Sequence, residues 1–254
     1  MALHLARNIV SRADQEFFIR RSEERGYSNQ GWVKSFYTFS FGDYYDLRFM
    51  GFRMLKVLNE NRVAAGEGFP PHPDKNIELL TYVISGGLAH KDNMVGEGVV
   101  SLLRPGELQR VTAGEGVRHS EFNASEHEGV HFLEISIEPA ELNLTPSYEQ
   151  KYFSPAERLG TLKLIASQDG RDGSVLIHQD ASLFSGIVQV NHSIESSLPE
   201  NRYGWLQVVK GSLVFDGIEL NQGDGVAIFG GGPIQVAASD ADESISEFLL
   251  FDLA

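Results

Sequence analysis

Residues 66–123 read GEGFPPHPDKNIELLTYVISGGLAHKDNMVGEGVVSLLRPGELQRVTAGEGVRHSEFN. Short apolar and β-branched runs, of which Ile77–Ser85 is the clearest, are cut by turns at Gly86-Gly87, Pro105-Gly106 and Gly114-Glu-Gly116. Many short strands separated by Gly and Pro turns are the pattern of an all-β sandwich or barrel. The stretch opens with His72 and Asp74 one residue apart and closes with His119 and Glu121, again one residue apart. Period two puts each pair on one face of a strand. Two neighbouring antiparallel strands would then aim nitrogen and oxygen donors at one point, as a transition-metal ion requires of a rigid scaffold.

Before this stretch, residues 1–16 read as a variable tail and Phe17–Gly26 as an extended segment leading to a turn. Aromatics crowd Trp32–Phe41, and with Tyr44 and Tyr45 they read as ordinary core rather than a ligand cage. Met54–Leu58 with Val63 reads as a strand, DNMVGEG (92–98) as a hairpin loop, and Val130–Ile137 alternates well enough for another strand. Residues 138–158 carry three prolines and no period, and read as a linker ending in a helical turn.

The second half again offers short strands and echoes the first. Tyr82-Val-Ile-Ser-Gly-Gly-Leu88 resembles Gln207-Val-Val-Lys-Gly-Ser-Leu213, and Arg104-Pro-Gly-Glu107 resembles Asn221-Gln-Gly-Asp224. The positions matching the donors in this copy fall on Ser197, Pro199 and Val236, none of them a good ligand. The echo predicts two copies of one unit, the second without metal ligands.

Composition narrows the function classes. A formal charge of −14 over 254 residues, with no basic run, argues against direct nucleic-acid binding. The absence of cysteine excludes disulfides, thiolate catalysis and thiolate metal sites. No signal-peptide core and no run long enough for a membrane span appear, so a cytoplasmic protein is expected.

Gly66-x5-His72-x-Asp74-x3-Glu78 and Gly116-x2-His119-x3-Asn123 resemble the two motifs of the cupin superfamily. The whole chain resembles a pirin, through Tyr37-Thr-Phe-Ser-Phe-Gly42, Tyr44-Tyr-Asp46, His72-Pro-x-Lys-x-x-Glu78, Thr112-Ala-Gly-x-Gly116 and His119-Ser-Glu121. From Phe17 to Leu253 it is most similar to the bacterial pirin-like quercetinases, including His178-Gln-Asp180, Val209-Lys-Gly211 and Phe251-Asp-Leu253. The resemblance implies a bicupin, two stacked double-stranded β-helix (jelly-roll) barrels. The expected boundaries are 17–140 for a barrel with the metal site, 141–160 for a linker and 161–254 for a barrel without ligands.

It also implies a metal held by three histidines and a glutamate. His72, His119 and Glu121 match that set, whereas the remaining histidine position is Asp74. A second carboxylate favours Fe(II), with Mn or Co close behind and Ni or Zn still compatible, over copper. Asp74 could equally cap a turn before Asn76. The implied chemistry is O2-dependent ring cleavage of the flavonol quercetin with loss of carbon monoxide, Glu121 serving as base for the 3-hydroxyl. Phe69, Phe122 and Phe132 are expected to line the aromatic pocket, and Glu78 to be a supporting or surface strand residue. His90, His127, His131, His178 and His192 are expected to be structural or exposed. The expected partners are a small aromatic substrate and O2, in a monomer or weak dimer with a possible protein partner. The rivals are a metal- or redox-responsive regulatory protein, which animal pirins resemble, and a metal-free scaffold.

Overall fold

Strands occupy most of the computed structural model, which describes residues 9–12, 15–94, 100–239 and 245–254. The chain opens with β1 (Ile9–Arg12) and β2 (Gln15–Arg20). There follow β3 (Gly26–Asn29), β4 (Val33–Tyr37), β5 (Leu55–Val63), β6 (Gly68–Asp74), β7 (Glu78–Ser85), β8 (Leu88–Asp92) and β9 (Ser101–Leu103). Next come β10 (Glu107–Thr112), β11 (Val117–Asn123), β12 (Val130–Ile137), β13 (Ser147–Tyr152) and the helical turn α1 (Pro155–Arg158). The remainder is β14 (Leu162–Ser167), β15 (Val175–Leu176), β16 (Ala181–Gln189), β17 (Ser193–Leu198), β18 (Tyr203–Lys210), β19 (Ser212–Phe215), β20 (Ile218–Asn221), β21 (Gly225–Phe229), β22 (Gly232–Ala238) and β23 (Ile245–Leu253). Of the hairpin loop expected over 92–98, residues 95–98 lie outside the described residues. No described helix is long and apolar enough to cross a membrane.

The chain is an all-β bicupin that divides into two compact units. The N-terminal barrel comprises Gly26–Phe153 and Ser167–Gln179. Its seven-stranded sheet runs β13-β10-β7-β12-β5-β4-β3, and its four-stranded sheet runs β6-β11-β8-β9. Side chains of both sheets meet in one core: Val33, Val63, Val83, Val130 and Phe132 from the larger, Leu88 and Leu103 from the smaller, with Phe69 packed against them. Burying each such side chain contributes roughly 1.5–3 kcal/mol, which holds the two sheets together and makes the site between them rigid.

The C-terminal barrel comprises Met1–Arg25, Ser154–Ala166 and Asp180–Ala254. Its larger sheet includes β1-β2-β21-β18-β23-β16-β14 and its smaller sheet runs β17-β22-β19-β20, around a core containing Phe17, Ile19, Leu206, Val226, Phe248 and Leu250.

The division departs from the expected boundaries at residues 17–25, in the expected linker, and at Ser167–Gln179, which belongs to the N-terminal barrel rather than to the expected 161–254. Residues 17–25 belong to the C-terminal barrel, because β2 pairs with β21 and buries Phe17 and Ile19 in that core. Their hydrophobicity requires burial but does not say where. The expected tail over 1–16 likewise contains β1 and the start of β2, which pair with each other. In the expected linker, Ser147–Tyr152 is a strand on the edge of the N-terminal sheet, hydrogen-bonded to β10. Its half-exposed SYEQKY sequence carries no apolar period, which is how edge strands escape a pattern search.

Candidate metal centre

The strand β11 organises the site. It lies between β6 and β8, pairing His119 with His72 on one side and Asp92 on the other, and Glu121 with Phe69 and His90. Between His119 and Glu121 the register against β6 shifts, and there the two backbones approach closely. A Cβ on Gly68 would stand 2.4 Å from the Glu121 carbonyl oxygen, so a glycine is needed at this crossing.

His72, Asp74 and His119 converge as the paired spacing predicts. His119 Nε2 stands 2.9 Å from His72 Nε2 and 2.8 Å from Asp74 Oδ2, and the His72–Asp74 separation is 3.8 Å. Two donors at right angles about one ion, each ~2.1 Å from it, would stand ~3 Å apart, so two of the three separations match adjacent positions of an octahedral site. His72 Nδ1 lies 2.9 Å from the Pro70 carbonyl oxygen, which can only accept. That nitrogen therefore carries the proton and leaves Nε2 with a free lone pair, the tautomer a ligand needs. The turn-cap alternative for Asp74 finds no support, since the Asn76 amide donates to the Gly114 carbonyl at 3.0 Å. The donor set present thus fits a divalent metal.

Glu121 stands apart from that trio. It forms a second group with His119 and His90, and His119 is common to both groups. It is buried, accepts a hydrogen bond from Thr81 Oγ1 at 3.3 Å, and has its carboxyl pushed above the ordinary range by burial, against the opposing effect of His119. His119 shows the reverse balance. Burial disfavours its imidazolium, but the Asp74 hydrogen bond and the Glu121 and Asp74 carboxylates outweigh that and raise it.

His90 is the residue that sequence reasoning missed. It is buried beside His119, with ring centroids 5.2 Å apart, and its Nε2 donates to Asp92 Oδ2 at 3.2 Å, leaving Nδ1 without a partner among the described residues. Burial and the neighbouring His119 lower it to about 4, so it is neutral. The signal was present: His90-Lys-Asp92 repeats the His-x-Asp spacing of His72-Pro-Asp74.

Other expectations fare unevenly. Glu78 is neither on the surface nor beside the donors; fully buried, it accepts from Thr112 Oγ1 at 3.2 Å and pairs with His178 Nδ1 at 3.3 Å. His178 and His131 both have carboxylate partners, the latter Glu60 at 2.9 Å, whereas His127 and His192 are exposed.

A cavity of about 710 Å3 opens onto His72 and Glu121. Its aromatic walls are Phe69, Tyr27, Tyr37, Phe41 and Tyr44. Of the three expected phenylalanines only Phe69 lines it, because Phe132 points into the core and Phe122 is 39% exposed on the opposite face of β11. The aromatic run read as core divides: Phe39 is core, but Tyr37, Phe41 and Tyr44 face the cavity. Tyr44 lies over Gly26, where a Cβ would stand 2.4 Å from its ring. Glu134 also lines the cavity and is pushed up to about 7 by burial and the Glu121 carboxylate, against hydrogen bonds from Asn59 and Asn61.

Two cupin barrels, with imidazole and carboxylate donors gathered on one strand pair beside an aromatic cavity, define a bicupin whose donor set could hold a metal ion. Residues 19–137 match the family Pirin and residues 164–253 match the Quercetinase C-terminal cupin domain. The chain is 41% identical over 236 residues to quercetin 2,3-dioxygenase of Escherichia coli K12, covering 93% of this chain and 98% of that protein. It is 32% identical over 224 residues to a pirin-like protein of Caulobacter vibrioides, covering 88% and 95%. The crystal structure of the bacterial pirin YhhW from E. coli in complex with nickel(II) superposes with a TM-score of 0.85 at 40% identity, covering 93% of this chain and 98% of that one. The chain belongs to the pirin family.

Proposed function

We propose that the protein is a cytoplasmic, metal-dependent dioxygenase that cleaves flavonol-type aromatic substrates with O2 and releases carbon monoxide, with Fe(II) as its working metal. The observation that carries this reading is the convergence of His72, Asp74 and His119 within one coordination distance at the wall of an aromatic cavity that also exposes Glu121. The names of the similar proteins, quercetin 2,3-dioxygenase and a nickel-bound pirin, support it.

His72, Asp74 and His119 would hold the ion, with Glu121 close enough to His119 to join them. A divalent ion there supplies Lewis-acid stabilisation of the oxygen anion formed when the flavonol 3-hydroxyl ionises. The protein's own groups do the rest. Glu121, a buried carboxylate whose proton affinity is raised by that burial, takes the 3-hydroxyl proton. Tyr37 and Tyr44, stacked at 6.3 Å and 19°, present flat faces to planar rings.

The test is flavonol turnover and carbon monoxide release by protein reconstituted with Fe(II), comparing wild type with Glu121→Gln. The variant is expected to lose at least ~100-fold in kcat, the low end for a general base, with its metal content retained. Full activity in Glu121→Gln removes Glu121 from the chemistry; a wild type that retains no metal and cleaves no flavonol defeats the reading and leaves a binding scaffold.

A further inference from the structure

We propose that Glu134, Asn59 and Asn61 form a second recognition site in the same cavity, which accepts hydrogen bonds from ring hydroxyls of a polyphenolic substrate and rejects anionic aromatic ones. It rests on the dioxygenase reading for the class of substrate, but its geometry is independent of the metal donors.

Register places a polar row across the seven-stranded sheet of the N-terminal barrel. Gln109 pairs with Thr81, Thr81 with Glu134, Glu134 with Asn59, and Asn59 with Tyr37, along the strand order β10-β7-β12-β5-β4. Directly paired residues share a face of a sheet. The face is the one that meets the cavity, since Glu134, Asn59 and Tyr37 all line it. Polar side chains inside a barrel cost free energy unless their hydrogen bonds are satisfied.

Here the satisfaction is incomplete in one direction only. Asn59 Nδ2 and Asn61 Nδ2 both donate to the same oxygen, Glu134 Oε2, at 3.4 and 3.2 Å, and Ser35 Oγ donates to Asn61 Oδ1 at 2.6 Å. Asn59 Oδ1, on a side chain only 1% exposed, is left without a partner among the described residues, and the amide donors that reach Glu134 both fall on Oε2 rather than Oε1. Asn59 Oδ1 and Glu134 Oε1 can both only accept. What completes the site must therefore donate.

The surroundings narrow the donor further. Tyr27, Tyr37, Phe41, Tyr44 and Phe69 provide apolar aromatic surface, and among the described residues no lysine or arginine lines the cavity. Glu134, Glu121 and Asp43 also line it, so in the metal-free cavity a carboxylated or sulfated ring meets three carboxyls and neither lysine nor arginine. A flat ring bearing neutral hydroxyls suits both the walls and the open acceptors. A ring bearing an ammonium would suit the acceptors too, and the experiment separates the two.

The measurement is direct binding to chelator-stripped protein at pH 8, followed by ligand absorbance. The ligands are flavonols carrying none, one or two hydroxyls on the pendant ring, with a ring-carboxylated and a ring-aminomethylated analogue. Wild type is expected to bind the dihydroxylated ligand about 10-fold or more tighter than the unhydroxylated one, the scale of a hydrogen bond to a charged acceptor, and the carboxylate weakest. In Glu134→Leu the hydroxyl series should collapse to within about twofold. If that variant does not fold, Glu134→Gln, which keeps the shape with a neutral acceptor, should reduce the discrimination about fivefold. Equal affinity across the series, discrimination that survives both substitutions, or tightest binding of the aminomethylated ring overturns the proposal. Binding to stripped protein needs no turnover, so failure here is distinguishable from absence of dioxygenase activity.

Discussion

Replacing Glu134 by glutamine should stabilise the metal-free protein at alkaline pH while reshaping nothing. Glu134 has its carboxyl moved from 4.5 to about 7, chiefly by burial and then by the Glu121 charge. Between those values the folded protein holds a proton that the unfolded chain has released, so this group makes stability fall as pH rises through the window. Above pH 7 the full penalty applies, at most about 3 kcal/mol from the displacement of that equilibrium. Glutamine removes it, and its carbonyl oxygen can accept the two amide donors that now meet on Glu134 Oε2. His90 works in the opposite sense over nearly the same range: lowered from 6.5 to about 4, it makes stability fall as pH drops. The pH profile of wild type alone is therefore flattened, and the prediction lies in the difference between the two proteins. Urea unfolding of chelator-treated wild type and Glu134→Gln, from pH 4.5 to 8.5, should give coincident stabilities at the acid end and a variant more stable by about 2–3 kcal/mol at pH 8. A pH-independent offset, or a variant less stable at pH 8, would refute the argument that the cavity raises this carboxyl.

Asp74→Ala should lose most of the metal taken up by wild type, because it removes the oxygen 2.8 Å from His119 Nε2. Asp74→His should raise affinity for nickel and copper more than for manganese, since nitrogen donors favour the later metals; elemental analysis after competitive loading reads both, and unchanged content and preference would remove Asp74 from the ligand set. Gly26→Ala places a Cβ 2.4 Å from the Tyr44 ring, which should displace that wall, cost about 1–3 kcal/mol as overpacking and raise KM several-fold with less change in kcat. An unaltered KM would mean that Tyr44 does not contact the substrate.

What was legible in the sequence, and what was not, follows from how a barrel is built. A pair such as His72 and Asp74 lies along one strand, so its common face is readable from spacing alone, and the structure gathers both with His119. His90 lies on the same neighbour of β11 as Asp92, and only the register of β8 against β11 shows that it stands opposite Glu121. The polar row from Gln109 to Tyr37 is harder still. Its members lie one in each of five strands, some beside other polar residues such as Glu60 in β5 and Arg110 in β10, so nothing along a single strand singles them out. They become neighbours only because β7 and β12 are hydrogen-bonded at Thr81 and Glu134, and β12 and β5 at Glu134 and Asn59.

The same reasoning explains the misplaced aromatics. Sequence proximity to His119 suggested Phe122, but period two turns it away from the side chains on either side of it in the chain. Tyr37 is distant in sequence, yet its pairing with Asn59 brings it to the same cavity as Glu134. Donors for an ion must converge within a few ångströms, so they come from adjacent positions on adjacent strands and leave a short-range signature. A substrate as wide as a flavonol spans several strands, so the groups that recognise it are distributed across the sheet. Residues that select among substrates in this fold are accordingly found by reading across the hydrogen-bonded register, where Glu134 stands between Thr81, which holds Glu121, and Asn59, which has an acceptor to spare.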